Sequence, residues 1–170
     1  TEKRHSTAVL MINAPTNDEG IEGDVILNYS LQELKPLIIQ WANERDLIHS
    51  ENADKQRLKL IEECGELASA ILKNDIELQK DSLGDVFVVL TILEAQIGIG
   101  KLRWHTPNQG NIIEGLLSKL IAEPFPYGGN IYQIAVLINH DLTECANLAY
   151  NEIKNRKGKT INGTFIKEQI

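Results

Sequence analysis

Aromatic residues are scarce in this sequence, at 5% of 170 positions, and there are only two cysteines. Cys64 and Cys145 both fall inside helical patterns, which excludes a disulfide framework. They read as reduced, small core residues. No secretory signal is legible, and with these thiols the expected location is cytoplasmic. No apolar run approaches the roughly 18 residues that a membrane span needs, so no membrane partner is expected. Positive charge is the minority: 17 Lys and Arg stand against 24 Asp and Glu, for a net charge of −7. That argues against a general nucleic-acid-binding surface. Any anionic ligand must meet a local basic cluster or a metal. Internal repeats and low-complexity tracts are also missing, and the length suits one domain with a small appendage. What is present is aliphatic: 42% hydrophobic residues are enough for a core.

Residues 1–29 differ from the rest. "TAVLMINAP" is a short apolar run, "TNDEGIEGD" an acidic loop, and "VILNY" a second strand-like run, so a non-helical N-terminal extension with short strands is expected. Helical periodicity then takes over. Ser30 and Glu33 form a capping-box pattern before a helix whose stripe is Leu34, Leu37, Ile38, Trp41 and Ala42, with Pro36 disturbing its first turn. Helices follow over about 54–73 and 76–98, the second ended by Gly98 and Gly100. A shorter one covers "NIIEGLLSKLI", and "AEPFPYGGN" is a loop. Two more, "IYQIAVLIN" and "DLTECANLAYNEIKNR", are separated near His140, where Asp141 and Glu144 offer another capping box. Asn162-Gly163 between β-prone runs signals a hairpin. The expected fold is all-α, a helical bundle around a four-helix core in a domain spanning 30–170.

"LIEECGELASAILKN" places Glu62, Glu63 and Glu66 within five positions. On a helical wheel Leu60, Ile61, Cys64, Leu67, Ala68, Ile71 and Leu72 fill one half, and the glutamates fall on the other with Lys59 and Lys73. Such a face is ordinarily just solvated. The next helix changes the balance. Apolar residues from Leu83 to Ile97 cover every angle, the mark of a buried helix. Asp85 sits inside that stretch, with Asp81 one turn earlier. A lone buried carboxylate costs several kcal/mol unless it is paired. Either a hydrogen bond to Lys or Ser across the core or a hard divalent cation would satisfy it. Mg²⁺ takes carboxylate oxygens while keeping waters, and Glu63–Glu66 and Glu62–Glu66 have the i, i+3 and i, i+4 spacing that presents ligands together.

"KLIEECGELASAILKN" followed by "DSLGDVFVVLTIL" resembles the all-α nucleoside triphosphate pyrophosphohydrolases of the MazG-like family. Their pattern is Glu-Glu-x-x-Glu on one helix and Glu-x-x-Asp on the next. Glu62, Glu63, Glu66 and Asp85 match it. Ser82 departs, standing where a glutamate is expected, with Asp81 beside it. The resemblance implies a MazG-like helical bundle, assembled as a homodimer or homotetramer, that converts a nucleoside triphosphate and water into a monophosphate and pyrophosphate. It also implies Mg²⁺, or Mn²⁺ in its place, as the cofactor. Glu63, Glu66 and Asp85 are then the metal ligands. Glu62 is a further ligand or, with Glu63, a catalytic group orienting water; for the missing glutamate, either Asp81 stands in, or a water fills the gap, or a second metal binds weakly.

For the substrate, Lys154, Arg156, Lys157, Lys159 and Lys167 cluster near the C-terminus of an acidic chain. Helix C-termini favour such residues anyway. Lys154 and Arg156 are nonetheless the candidates for the phosphates, with Lys59 beside the glutamates. Asn147 and Asn151, one turn apart, face sugar, phosphate or water. Trp41 is core, a subunit contact or, on the resemblance, a wall for the base. Trp104 and His105 lie in a loop where they either cover a pocket or do nothing. A different class of function also fits: a non-catalytic helical interaction or regulatory module, with Ser82 recording a decayed metal site.

Overall fold

A computed structural model describes residues 28–98, 113–122 and 129–168. Residues 1–27 of the N-terminal extension, Trp104, His105, Gly100 and most of the loop after Ala122 lie outside these residues.

Among the described residues, six α-helices and one hairpin follow in chain order: α1 Leu31–Asn43, α2 Ala53–Lys73, α3 Ile76–Ile97, α4 Ile113–Ala122, α5 Gly129–Leu137 and α6 Leu142–Ile153, then β1 Gly158–Ile161 and β2 Thr164–Lys167. The chain is mostly helical, as its periodicity predicts. The capping box at α1 forms in full, Ser30 and Glu33 each bonding the other's backbone N–H. Pro36 does not break α1, which runs straight through it. Asp141 caps α6 by accepting from the N–H groups of Thr143 and Glu144. The reciprocal half of that expected box is missing, because the Glu144 carboxylate is 3.2 Å from Lys80 Nζ instead. Gly98 ends α3 in the left-handed conformation. The Asn162-Gly163 turn has positive φ at both positions, which joins β1 to β2 as a tight antiparallel hairpin. The expected all-α domain therefore carries a small sheet at its end.

Helix α3 is the axis of the molecule, packed by α1, α2, α5 and α6. Its apolar residues from Leu83 to Leu93 are buried on every side, as the sequence predicts. Against α6 it comes close at Gly84, where a Cβ would run into the Cys145 carbonyl oxygen and sit 2.9 Å from the Ala149 Cβ. Against α2 it forms an antiparallel pair cross-bridged at both ends. Gln56 Nε2 donates to the Val89 carbonyl and Gln79 Nε2 to the Ala70 carbonyl.

The buried positions of α2 are Ala53, Gln56, Leu60, Glu63, Leu67 and Ala70, with Cys64 beside them. That is a 3-4 spacing, the seam of two helices packed nearly antiparallel. It corrects the predicted stripe. Ile61 and Leu72 are 47% and 87% exposed, whereas Glu63, expected on the polar face, is 4% exposed. The seam follows the line of closest approach between α2 and α3, not the centre of the hydrophobic arc.

Gly84 generates a test. Gly84→Ala forces a methyl against backbone, and such overpacking costs about 1–3 kcal/mol. Urea unfolding is expected to show that loss. Unchanged stability would mean that α3 and α6 do not approach as described.

Candidate functional site

A cleft of about 370 Å³ opens between the α2–α3 seam and the C-terminal hairpin. That volume lies within the range of small-molecule sites. Its acidic floor carries Glu63, buried, and Glu66, exposed, from α2, and half-buried Asp85 from α3. Its rim carries Lys55, Lys59, Arg156 and Lys167, and its apolar wall includes Trp41, Val89, Ile92 and Phe165. Three of the predicted acids, Trp41, Lys59 and Arg156 are thus brought to one place.

The floor is electrostatically tense. Burial raises the pKa of Glu63, outweighing the Lys59 ammonium, which lies 2.6 Å from Oε1. The other oxygen, Oε2, is buried with no hydrogen-bond partner among the described residues. Burial, then the charges of Glu63 and Asp81, push Asp85 up to about 7, with Arg156 and Lys59 opposing. For Lys59, burial acts downward, but its bonds to Glu62 and Glu63 prevail and its pKa is raised. For both carboxyls burial is the largest cause, and neighbouring acids add to it.

These donors suit a hard cation in one respect and limit it in another. An unpartnered carboxylate oxygen and a carboxyl with a raised pKa are groups that a hard cation would satisfy. Yet among the described residues no three acidic, histidine or cysteine side chains converge on one point. The fit is to a hydrated cation held by one or two carboxylates, the manner usual for Mg²⁺, and not to a closed cage.

Other predicted residues are placed elsewhere. Glu62 is exposed and outside the cleft lining, its carboxylate 2.8 Å from Lys59 Nζ. Asp81 is exposed and lines a second hollow with Asp75, Glu77 and Glu152, so only its charge reaches Asp85. Ser82 is fully buried, and its hydroxyl has no partner among the described residues.

Asn147 does not line the cleft, and its amide is engaged within the chain. Its Oδ1 accepts from the Tyr29 N–H and its Nδ2 donates to the Tyr29 and Thr143 carbonyls, at 2.7–2.8 Å. An amide so engaged holds the chain before α1 onto α6. Asn151 and Lys154 do not line the cleft. Asn151 donates to the Asn147 carbonyl and accepts from Lys154.

Sequence patterning did not single out Lys55 or Phe165. The hairpin turn was legible, but nothing local says that a hairpin will fold back over α2.

Residues 51–121 match the model of the MazG nucleotide pyrophosphohydrolase domain. Over 66 residues the chain is 48% identical to an uncharacterized 18.2 kDa protein in the rep-hol intergenic region of Haemophilus phage HP1 (strain HP1c1). The shared stretch is 39% of this chain and 40% of that protein, so the chain spans well under half of the curated relative's length. No solved structure matches. The matched segment contains the α2–α3 pair and all four acids of the Glu-Glu-x-x-Glu and Asp motifs. The chain therefore carries a MazG-like domain at residues 51–121.

Proposed function

We propose that this protein hydrolyses a nucleoside triphosphate to the monophosphate and pyrophosphate, with Mg²⁺ or Mn²⁺ as cofactor. The observation that carries this reading is the cleft itself. Acids on its floor face cations on its rim, with an indole beside them. A polyanion is repelled by the floor unless a cation intervenes, and is drawn by the rim.

The divalent cation would supply charge neutralisation at the phosphates and a more acidic bound water. Glu66 and Asp85, with waters, would be the groups to hold it. Glu63 is the better placed of the two predicted catalytic glutamates to orient the attacking water, since Glu62 stands outside the cleft lining. Arg156 and Lys59 take the phosphates. Attack at the α-phosphorus breaks its bond to the bridging oxygen and releases pyrophosphate. The substrate excludes water from the cleft as it binds, which strengthens every charge interaction there.

Assembly as a homodimer or homotetramer belongs to the same proposal. Leu58, Ile61 and Leu72 are exposed on the outer face of α2, in line with Gly65, whose Cα side is open. They repeat the 3-4 spacing of the inner seam, as a second copy packing along α2 would need. A cytoplasmic setting suits two free, buried thiols. No described helix is long and apolar enough to cross a membrane. The alternative, a non-catalytic helical module, is favoured by one observation: Ser82 contributes an unpaired hydroxyl where the resembled pattern has an acid.

Pyrophosphate release from a panel of ribo- and deoxyribonucleoside triphosphates decides between them. Turnover is expected with Mg²⁺ or Mn²⁺, to vanish in EDTA, and to fall at least about 100-fold in Glu66→Gln and Asp85→Asn. Full activity in excess chelator overturns the metal mechanism, and no turnover of any nucleotide favours the non-catalytic module.

Asp85 also makes stability depend on pH. Its folded pKa, about 7, exceeds the ordinary 3.8. The unfolded chain therefore gives up this proton first, and stability from this group is lost as pH rises from about 4 to 7. Without divalent cations, Asp85→Asn should match the wild type near pH 4 and become progressively more stable than it up to pH 7, then level off. Parallel urea titrations check this, and a difference that stays constant across that range contradicts the raised pKa of this half-buried carboxylate.

A further inference from the structure

The cleft has a wall that the matched segment does not contain. The match ends at residue 121, and the hairpin of Gly158–Lys167 lies wholly beyond it. A two-stranded hairpin is marginal by itself. This one is fixed to the helices by Arg45, in the turn after α1. The Arg45 guanidinium donates to the Arg156 carbonyl at 2.8 Å and to the Trp41 carbonyl at 2.8 Å, and lies 4.6 Å from the centre of the Trp41 ring. Thr160 Oγ1 in turn donates to the Arg45 carbonyl at 2.5 Å. At the hairpin tip, Gly163 lies against Asn52, where a Cβ would be 2.9 Å from the Asn52 Oδ1.

Strand alternation decides what the hairpin presents. Phe165 and Lys167 are two apart on β2 and share a face. Both line the cleft, while Ile166 between them is exposed. Phe165 meets Trp41 edge-on, with ring centres 5.2 Å apart and planes at 62°, so the two rings make one aromatic surface. The pairing of Gly158 with Lys167 brings the end of β2 beside the strand that Arg156 precedes. Two buried polar atoms on this cleft lack partners among the described residues: the Trp41 indole N–H at the wall and Glu63 Oε2 on the floor. One can only donate and the other, when ionised, only accept.

We propose that the C-terminal hairpin is a substrate-positioning wall, in which Phe165 and Trp41 hold the nucleoside and Lys167 joins Arg156 on the polyphosphate. This rests on the pyrophosphohydrolase reading and adds residues to that same site. The occupant it describes has a flat apolar face for Phe165, a base carbonyl or ring nitrogen to accept from the indole, and negative charge for Lys167. Lys167 is exposed, so its replacement removes charge without opening the core.

The test compares wild type, Lys167→Gln, Phe165→Ala and Phe165→Tyr. Binding of an α,β-imido nucleoside triphosphate and of the monophosphate is measured by calorimetry with Mg²⁺, and turnover by pyrophosphate release. Lys167→Gln should weaken triphosphate binding about tenfold, near 1.4 kcal/mol, with a smaller effect on the monophosphate and the loss carried mainly by KM. Phe165→Ala should weaken both ligands, and Phe165→Tyr should recover most of that. If the wild type turns over and Lys167→Gln binds the triphosphate within twofold of it, the hairpin is no part of the site, while the proposed activity stands. If the wild type neither binds the analogue nor releases pyrophosphate, the activity fails and the wall fails with it.

Discussion

The placement of Glu63 in the seam between α2 and α3 is the constraint on which the rest turns. At that position two packed helices would ordinarily set a leucine against its neighbours. A carboxylate there loses hydration and must recover it from partners. Lys59 satisfies one oxygen and the other has no partner among the described residues, while Asp85 across the seam has its pKa raised by its own burial and then by the charge of Glu63. The seam nevertheless stays closed because it is anchored on both sides of the acids. Apolar rows run along it, and glutamine amides reach across to backbone carbonyls at either end. The acids are thus held by scaffolding that does not depend on them.

Much of this was legible in the residues. The unbroken apolar run of α3 announced a buried axis, Ser30 with Glu33 announced where α1 starts, and Asn162-Gly163 announced a two-residue turn. The glutamates alone read as an ordinary solvated face, and the motif acids were singled out because Asp85 stands inside an apolar helix and because the pattern resembles the MazG-like family. Other features were hidden for physical reasons. A helical wheel gives the mean direction of hydrophobicity, but the buried line on α2 is set by which side α3 approaches. That rotation separates Glu63, sealed in the seam, from Glu62, one position away in water.

Asn147 shows a second limit. Its spacing from Asn151 suggested a polar pair for a ligand, but an amide is equally suited to imitating a strand neighbour, and Tyr29 offers both groups such a mimic needs. No local pattern distinguishes the two uses, because the partner lies over a hundred residues away. Arg45 escaped notice for the same reason. A single arginine in a turn carries no periodicity, yet it joins the end of α1, the end of α6 and the hairpin through bonds that only the folded chain brings together.

The two halves of the cleft differ in how far along the chain their contacts reach. The floor is a helical hairpin whose cross-bridges span 9 and 33 residues. The wall is tied down by bonds spanning 111 and 115 residues. Short loops close early and long ones late, since closure entropy grows with separation. The acidic floor is therefore a local product of folding and the aromatic wall a late one. During synthesis the carboxylates would meet each other, and any cation, well before the residues that complete the cleft have left the ribosome.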